Sequence, residues 1–371
     1  MNEFDVLVVG AGIVGLAHAW TAAKRGLSVA VIERDHRCVG ASIRNFGFIT
    51  VTGQREGATW RRAMRSRALW DQLAPQAGIE VLHRGLWVLA RRPAAAEVLA
   101  AFTKTDMGES CILYSASDAA ACAPFLQTQG ASAALYSPHE LRVESRTAIP
   151  LMAKWLQEHC AVPFFWGQTV LGLQGDRVYT SAGEFRAERV VVCPGTDLTG
   201  LARPWIADLP LGLTRLQMLR VRPELGFRMS ASVMSDLSLV RYAGYAALPQ
   251  AQALRLQLSE EAPASLEAGI HLIAVQSSDG TLVVGDSHHD DQSPWPFAQE
   301  AVDRLILGHL REAVQLEQCE VVERWTGVYP TGHQEDALIR SPHDNVRMVL
   351  VTSGTGASTA FGLSEDVFKD W

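Results

Sequence analysis

Three glycines near the amino terminus make the clearest chemical statement in the chain. Gly10, Gly12 and Gly15 stand in G-x-G-x-x-G spacing, after the apolar run 6–9 and at the start of an apolar helical pattern over 13–24. This spacing serves a phosphate. Gly10 permits the turn, Gly12 has no Cβ to bar a pyrophosphate from the helix N-terminal amides, and Gly15 lets the helix lie close on the strand. Glu33 ends a second strand pattern, 28–32, roughly 20 residues beyond the glycines, where a carboxylate accepts hydrogen bonds from an unphosphorylated ribose. A ligand-free glycine turn would explain the triplet alone. Strand, helix and acid together point to a bound dinucleotide.

At 371 residues the chain exceeds what one core usually holds, so two domains are expected. Apolar residues make up 48% and charged residues 20%, an ordinary soluble composition. A net charge of −7 with no basic run or aromatic–basic alternation argues against a nucleic-acid partner. The N-terminal MNEFDVLV has no basic leader, and no apolar stretch approaches the roughly 20 residues that cross a bilayer. The expectation is a cytoplasmic protein without a membrane partner. Six cysteines are scattered with no C-x-x-C pair, which reads as buried thiols and no metal site.

The elements that must hold these residues follow in order. Residues 40–54, GASIRNFGFITVTGQ, read as an extended loop of main-chain donors, suited to a groove along an elongated ligand. Residues 56–73 read as a helix whose Arg61, Arg62, Arg65 and Arg67 form a solvated face. Residues 81–90 look like a strand pair turning at Arg84 and Gly85, and Pro93 opens a helix through Phe102. A short helix at 117–121 and a strand at 133–136 precede a helix over 145–159 and a strand over 162–166. Short strands at 169–173, 177–180 and 184–186 lead to the strand 190–193 and the turn Pro194-Gly195. Strands at 216–221, 238–242, 271–276 and 281–284, an amphipathic helix over 297–313, and strands at 321–328, 338–340 and 346–352 come next. A Gly/Ser/Thr turn at 353–358 precedes a C-terminal helix. The order fits two interleaved domains.

Several of these segments share one family pattern: GAGIVG with Glu33, GASIRNFG, ERVVVCPG at 188–195, WTGVYPTG and SGTGAST. RLQM at 215–218 matches an R-G-Q strand with Leu216 in place of glycine. On these residues the sequence resembles the D-amino-acid oxidase and glycine/sarcosine oxidase superfamily of FAD-dependent amine oxidases. The resemblance implies an α/β fold. A Rossmann-like FAD-binding domain of glutathione-reductase type (1–80, 140–213, 322–371) would interleave with an antiparallel-sheet α+β substrate domain (81–139, 214–321). It implies that Gly10, Ala11, Gly12, Ile13, Val14 and Gly15 bind the pyrophosphate, Glu33 and Arg34 the ribose, and Val170 the adenine through its backbone. Ser42, Arg44, Asn45, Phe46 and Gly47 fall where the family lines the pyrophosphate and flavin, and Gly195 and Gly327 join the cofactor set. Gly354, Thr355, Gly356, Ala357, Ser358 and Thr359 would bring amides to the flavin's pyrimidine end, where negative charge gathers on reduction. Relatives that link their flavin covalently carry a cysteine in the segment 325–336; this chain has none, which implies non-covalent FAD.

Two departures bear on the substrate. Family members acting on amino-acid carboxylates often carry an arginine where Tyr329 stands, and glycine oxidases carry another near Ala357. A carboxylate is best held by a planar two-pronged donor, so a simple α-amino acid is less well served here unless another arginine does the job. The segments RNFGFITVTGQ, LQML and GVYPTG resemble a branch associated with bacterial phosphonate breakdown. That likeness implies oxidation of an aminophosphonate, such as N-methyl-2-aminoethylphosphonate, to phosphonoacetaldehyde plus amine. Arg44, Arg215, Arg241, His288, His289 and His333 are the candidate anion donors, with Tyr242, Tyr245 and Tyr329 as neutral ones. Arg215 is favoured because its strand should run beside the flavin. His288 and His289 either face the cavity or sit in a polar loop with Asp290 and Asp291.

The family mechanism is hydride transfer from the carbon beside a neutral amine to flavin N5, then imine hydrolysis and reoxidation by O2 to peroxide. It demands no side-chain base. Two other readings stay open: the same machinery acting on glycine, sarcosine or a D-amino acid, and a non-enzymatic FAD-binding subunit of a larger complex.

Overall fold

The computed structural model describes residues 2–369 and Trp371. The strand Asn2–Val9 is central because Val6, Leu7 and Val8 are wholly buried. A strand buried on both faces takes parallel neighbours joined by helical crossovers. It pairs parallel with Val29–Glu33 on one side and Gly183–Val192 on the other. Among the described residues this sheet has eight strands. Its main path is Ala337–His343, Val346–Val351, Gly183–Val192, Asn2–Val9, Val29–Glu33 and Phe164–Trp166, and the hairpin Val170–Gln174 with Arg177–Thr180 hangs from Gly183–Val192. The helix Ile13–Lys24 makes the first crossover, and its buried face includes Leu16, Ala19 and Trp20. Trp20 meets Phe361 of the helix Gly356–Val367 edge-on at 5.4 Å.

The second sheet, of ten strands, is built on one long antiparallel pair, Gly212–Pro223 with Cys319–Thr331, in which Thr214 lies opposite Tyr329 and Leu216 opposite Gly327. Leu282–Gly285 pairs on the other side of Gly212–Pro223 and carries Ile273–Gln276 beside it, with Ile273 opposite Gly285. Further along lie Ser232–Ser235, Val81–Ala90, Ala133–Val143 and Phe48–Ile49. The helix Glu300–Ala313 presents Val302, Ile306 and Leu310 at i, i+4 spacing to this core.

Several expectations are corrected. Residues 81–90 form one strand, with a bulge between Arg84 and Leu86 where a turn was expected. The expected strands at 184–186 and 190–193 are one, Gly183–Val192. Residues 238–242 are not a strand: a 3-10 turn, Asp236–Val240, leads to the helix Ala243–Ala246. All five residues of that turn are buried, so its apolar pattern does not distinguish it from a strand. The helix Ala251–Glu261, with Ala251, Leu254 and Leu258 on its buried face, lies inside a segment read as strands. Arg62 and Arg65 are not simply solvated; they pair with Asp366 and Glu365 of the C-terminal helix. The cysteines are all free, and Cys122 is exposed. No helix among the described residues is long and apolar enough to cross a membrane.

Candidate active site

A cleft of about 450 Å³ runs from the N-terminus of the helix Ile13–Lys24 to the second sheet. The three motif glycines differ in what a side chain would meet. At Gly10, with φ +104, a Cβ would lie 2.5 Å from the Cys193 carbonyl oxygen, and at Gly15 it would lie 1.9 Å from the Gly10 oxygen. Both hold the helix to the strand. A Cβ on Gly12 would meet only Ser42 Oγ, at 3.0 Å, so this glycine opens on the cleft. The Ile13 N–H donates to Ser42 Oγ at 2.9 Å. The helix has no capping side chain and no acid in its first turn, which leaves it suited to an anion. Glu33 accepts the Ala11 N–H at 2.7 Å and the Asp35 N–H at 3.0 Å. Those bonds fix the carboxylate at the strand end and leave lone pairs for ribose hydroxyls. A dinucleotide fits this cradle.

Gly12, Ile13, Val14, Gly15, Ser42, Arg44, Asn45, Phe46, Gly195, Gly327 and residues 354–358 line the cleft. Arg44 is exposed and its Nε donates to the Val39 carbonyl at 2.8 Å. Asn45 braces its own loop, donating to Ala41 at 3.0 Å and accepting from Gly47 at 2.7 Å. Ser358 Oγ accepts the Thr50 N–H at 3.0 Å. Other residues of the expected set stand behind the wall. Gly10 and Ala11 lie beneath it, Gly47 packs against Val143 and Arg142, and Thr359 turns its hydroxyl to the Thr355 oxygen at 2.9 Å. Val170 is buried in its hairpin, and half-exposed Arg34 pairs with Asp197 at 3.0 Å. None of these five, nor Gly10, is part of the cleft lining.

The expectation for Arg215 is corrected. Side chains alternate along a strand. Leu216 faces the cleft, while Arg215 and Gln217 face the opposite side, where Arg215 donates to the Phe297 carbonyl and Gln217 to that of Gln299. His289 pairs in register with Arg215 and shares that side. Tyr245 is core, its ring 4.5 Å from Phe102. His333 lines the cleft, its Nδ1 3.2 Å from the Glu335 carbonyl oxygen.

Tyr329, Tyr242, His288 and Arg241 do meet at the cleft, joined by two residues absent from the expected set, His271 and Asp286. Arg241 Nη2 donates to the Tyr329 hydroxyl at 3.0 Å. The Tyr329 ring stands 3.3 Å from where a Gly354 Cβ would be, and 6.2 Å from the His288 ring. Desolvation pushes both tyrosines up, so both hydroxyls are neutral donors. Burial holds His271 down to about 3 and His288 well below its usual value, so both are neutral rings. Burial raises Asp286 to about 7 against the pull of Arg241. The signal available beforehand was D-x-H directly after a glycine-ended apolar strand.

The family model described as DAO, FAD dependent oxidoreductase, matches residues 5–368. A glycine oxidase of Geobacillus kaustophilus is 25% identical over 374 residues, covering 95% of this chain and 88% of its own. In fold, the glycine oxidase of Bacillus cereus superposes with TM-score 0.78 at 17% identity, over 99% of this chain and 96% of its own. The L-proline dehydrogenase of P. horikoshii gives 0.78 at 18%, over 100% and 94%. With the match spanning nearly its whole length, the chain belongs to this family of FAD-dependent oxidoreductases and holds FAD without a covalent link.

Proposed function

We propose that the protein oxidises a small amine bearing an anionic group, at the carbon beside the nitrogen, in the manner of the glycine, sarcosine and D-amino-acid oxidases. The carrying observation is a polar wall of the cleft: the exposed guanidinium of Arg241, with the hydroxyls of Tyr329 and Tyr242 beside it. When bound, FAD takes two electrons and a proton's equivalent from the amine, and O2 is the proposed acceptor. Gly12, Ser42 and Glu33 would hold the dinucleotide end, and Gly354 to Ala357, at the N-terminus of the helix Gly356–Val367, would bring backbone amides to the redox end. Arg241 and Tyr329 orient the substrate's anion by charge-assisted hydrogen bonds. Leu216, Ile273 and Phe46 supply an apolar floor that limits water around the reacting carbon.

A second reading takes the anion to be a phosphonate. It draws on Tyr329 and Ala357 standing where carboxylate-binding relatives carry arginines, and on a donor set spread over one arginine, two hydroxyls and a histidine. Such donors converge on tetrahedral oxygens better than on a planar carboxylate. The test is anaerobic bleaching of the flavin, and peroxide release in air, with glycine, sarcosine, D-alanine, 2-aminoethylphosphonate and its N-methyl derivative. Reduction by the amino acids alone supports the first reading, and by the aminophosphonates alone the second. A flavin that no amine reduces overturns both and favours a non-enzymatic subunit.

A further inference from the structure

His271, Asp286 and His288 form a buried cluster whose donor atoms all lie within 4.8 Å of one another. Asp286 is 3% exposed, and its Oδ1 has no hydrogen-bond partner among the described residues. His271 Nδ1 stands 3.3 Å from that oxygen without an aligned hydrogen bond. His288 Nδ1 lies 2.9 Å from the Gly269 carbonyl oxygen. That nitrogen therefore carries the hydrogen, and Nε2, 3.8 Å from Asp286 Oδ2, is a bare lone pair. Asp286 Oδ1 and the His288 Nε2 lone pair thus meet at the cleft without a hydrogen bond from any described residue, and a buried carboxylate oxygen without a donor is costly unless a ligand brings one. The ligand that fits is an N–H cation. Arg241, on the same wall, suits the opposite end of a zwitterion.

We propose that Asp286 is the proton acceptor for the substrate: its Oδ1 receives the ammonium group and takes one N–H proton, while the His288 Nε2 lone pair accepts a second ammonium N–H. The inference rests on the amine-oxidising reading of the same cleft. In this step one N–H bond breaks, its electron pair stays on nitrogen, and an O–H bond forms on Asp286. Nothing is oxidised or reduced, and the neutral amine that the following oxidation needs is made inside the site. A base titrating near neutrality is best matched to this task. Burial holds Asp286 there, opposed by Arg241. The other titratable groups facing it are His271, His288, Tyr242 and Tyr329.

The experiment follows anaerobic flavin reduction against pH, in FAD-loaded wild type and Asp286→Asn, with whichever amine reduces the wild type. In the wild type the rising limb of the rate should fall at about pH 7. In Asp286→Asn it should move to the amine's own ionisation, about 8–10 for such groups, with a loss at neutral pH of about 5-fold for an amine ionising near 8 and about 500-fold for one near 10. Asp286→Glu should bring the limb back toward neutrality. Binding of methylphosphonate or acetate, read from the flavin spectrum, should not weaken in Asp286→Asn, since the substitution removes a negative charge beside Arg241. A limb unmoved by Asp286→Asn overturns the inference alone; a wild-type flavin that no amine reduces overturns the functional reading itself. If Asp286→Asn does not fold, proton release decides in the wild type, using 2-aminoisobutyrate, which has no hydrogen on the reacting carbon. At about pH 8.5, between the two ionisations, binding should release no proton into solution; release of about one per amine bound overturns the proposal.

Discussion

Gly12 and Gly15 stand three residues apart in one motif, yet alanine should fail at them in opposite ways. Gly12 has φ −71 and ψ 173, a conformation open to any residue, and its Cβ would meet only the Ser42 hydroxyl at 3.0 Å. Gly12→Ala should leave the apoprotein within about 1 kcal/mol of wild type, part of the contact offset by a less flexible unfolded chain. The same methyl stands where a pyrophosphate must approach the first-turn amides. Loss of one charge-assisted hydrogen bond costs about 1.5–3 kcal/mol, so FAD should bind roughly 10- to 150-fold more weakly. At Gly15 the Cβ would lie 1.9 Å from the Gly10 oxygen and 3.3 Å from Val8 Cγ1. The helix must lift from the strand, and overpacking of this kind costs about 1–3 kcal/mol or more before any cofactor is added. Thermal melts of both apoproteins, with quenching of FAD fluorescence on titration, separate the two effects. Gly12→Ala that binds FAD like wild type, or whose apoprotein melts as low as Gly15→Ala, would refute the assignment of the cradle.

Further outcomes follow from the same geometry. Arg241→Ala should lower kcat/KM for an anionic amine by about 10- to 100-fold, the worth of a hydrogen bond to a charged group, chiefly through KM, with FAD binding intact by fluorescence. Because Arg241 pulls Asp286 down, the same variant should move the rising pH limb upward. Arg142, fully buried, donates to Glu144 at 3.2 Å. Arg142→Met should cost about 3 kcal/mol in urea unfolding, the low end for a broken buried pair, since Arg220 still reaches Glu144 at 3.4 Å. Desolvation lowers His18 to about 4 and His83 to about 3, as it does His271. A histidine ionises near 6.5 when unfolded, so below that pH the unfolded chain binds more protons and stability falls with pH. The expected slope is about 1.4 kcal/mol per pH unit per histidine, opposed between pH 7 and 4 by Asp286, whose raised ionisation acts with the other sign. Apoprotein melting should drop steeply from pH 6.5 to 4.5, and His83→Gln should flatten that drop.

The cofactor cradle was legible because its signal is local: the glycines, the helix pattern and Glu33 sit within one unit whose geometry follows from spacing. The proposed substrate wall was not, because two strand registers assemble it. Ile273 pairs opposite Gly285 in antiparallel register, which sets His271, two residues before one, beside Asp286, one residue after the other. No linear spacing announces that meeting across 15 residues. Arg215 failed for a related reason: side chains alternate with period two, so choosing the strand correctly still leaves one chance in two of choosing the face. With Leu216 opposite Gly327, Leu216 and not Arg215 faces the cleft, and Tyr329, two residues beyond Gly327, shares the cleft side. A one-residue slip of Gly212–Pro223 would reverse that choice, turning Arg215 inward and taking Leu216 from the floor. The proposed substrate wall therefore depends on the pairing of Gly212–Pro223 with Cys319–Thr331, and any insertion that shifts it should abolish substrate binding while leaving the distant FAD cradle able to bind the dinucleotide.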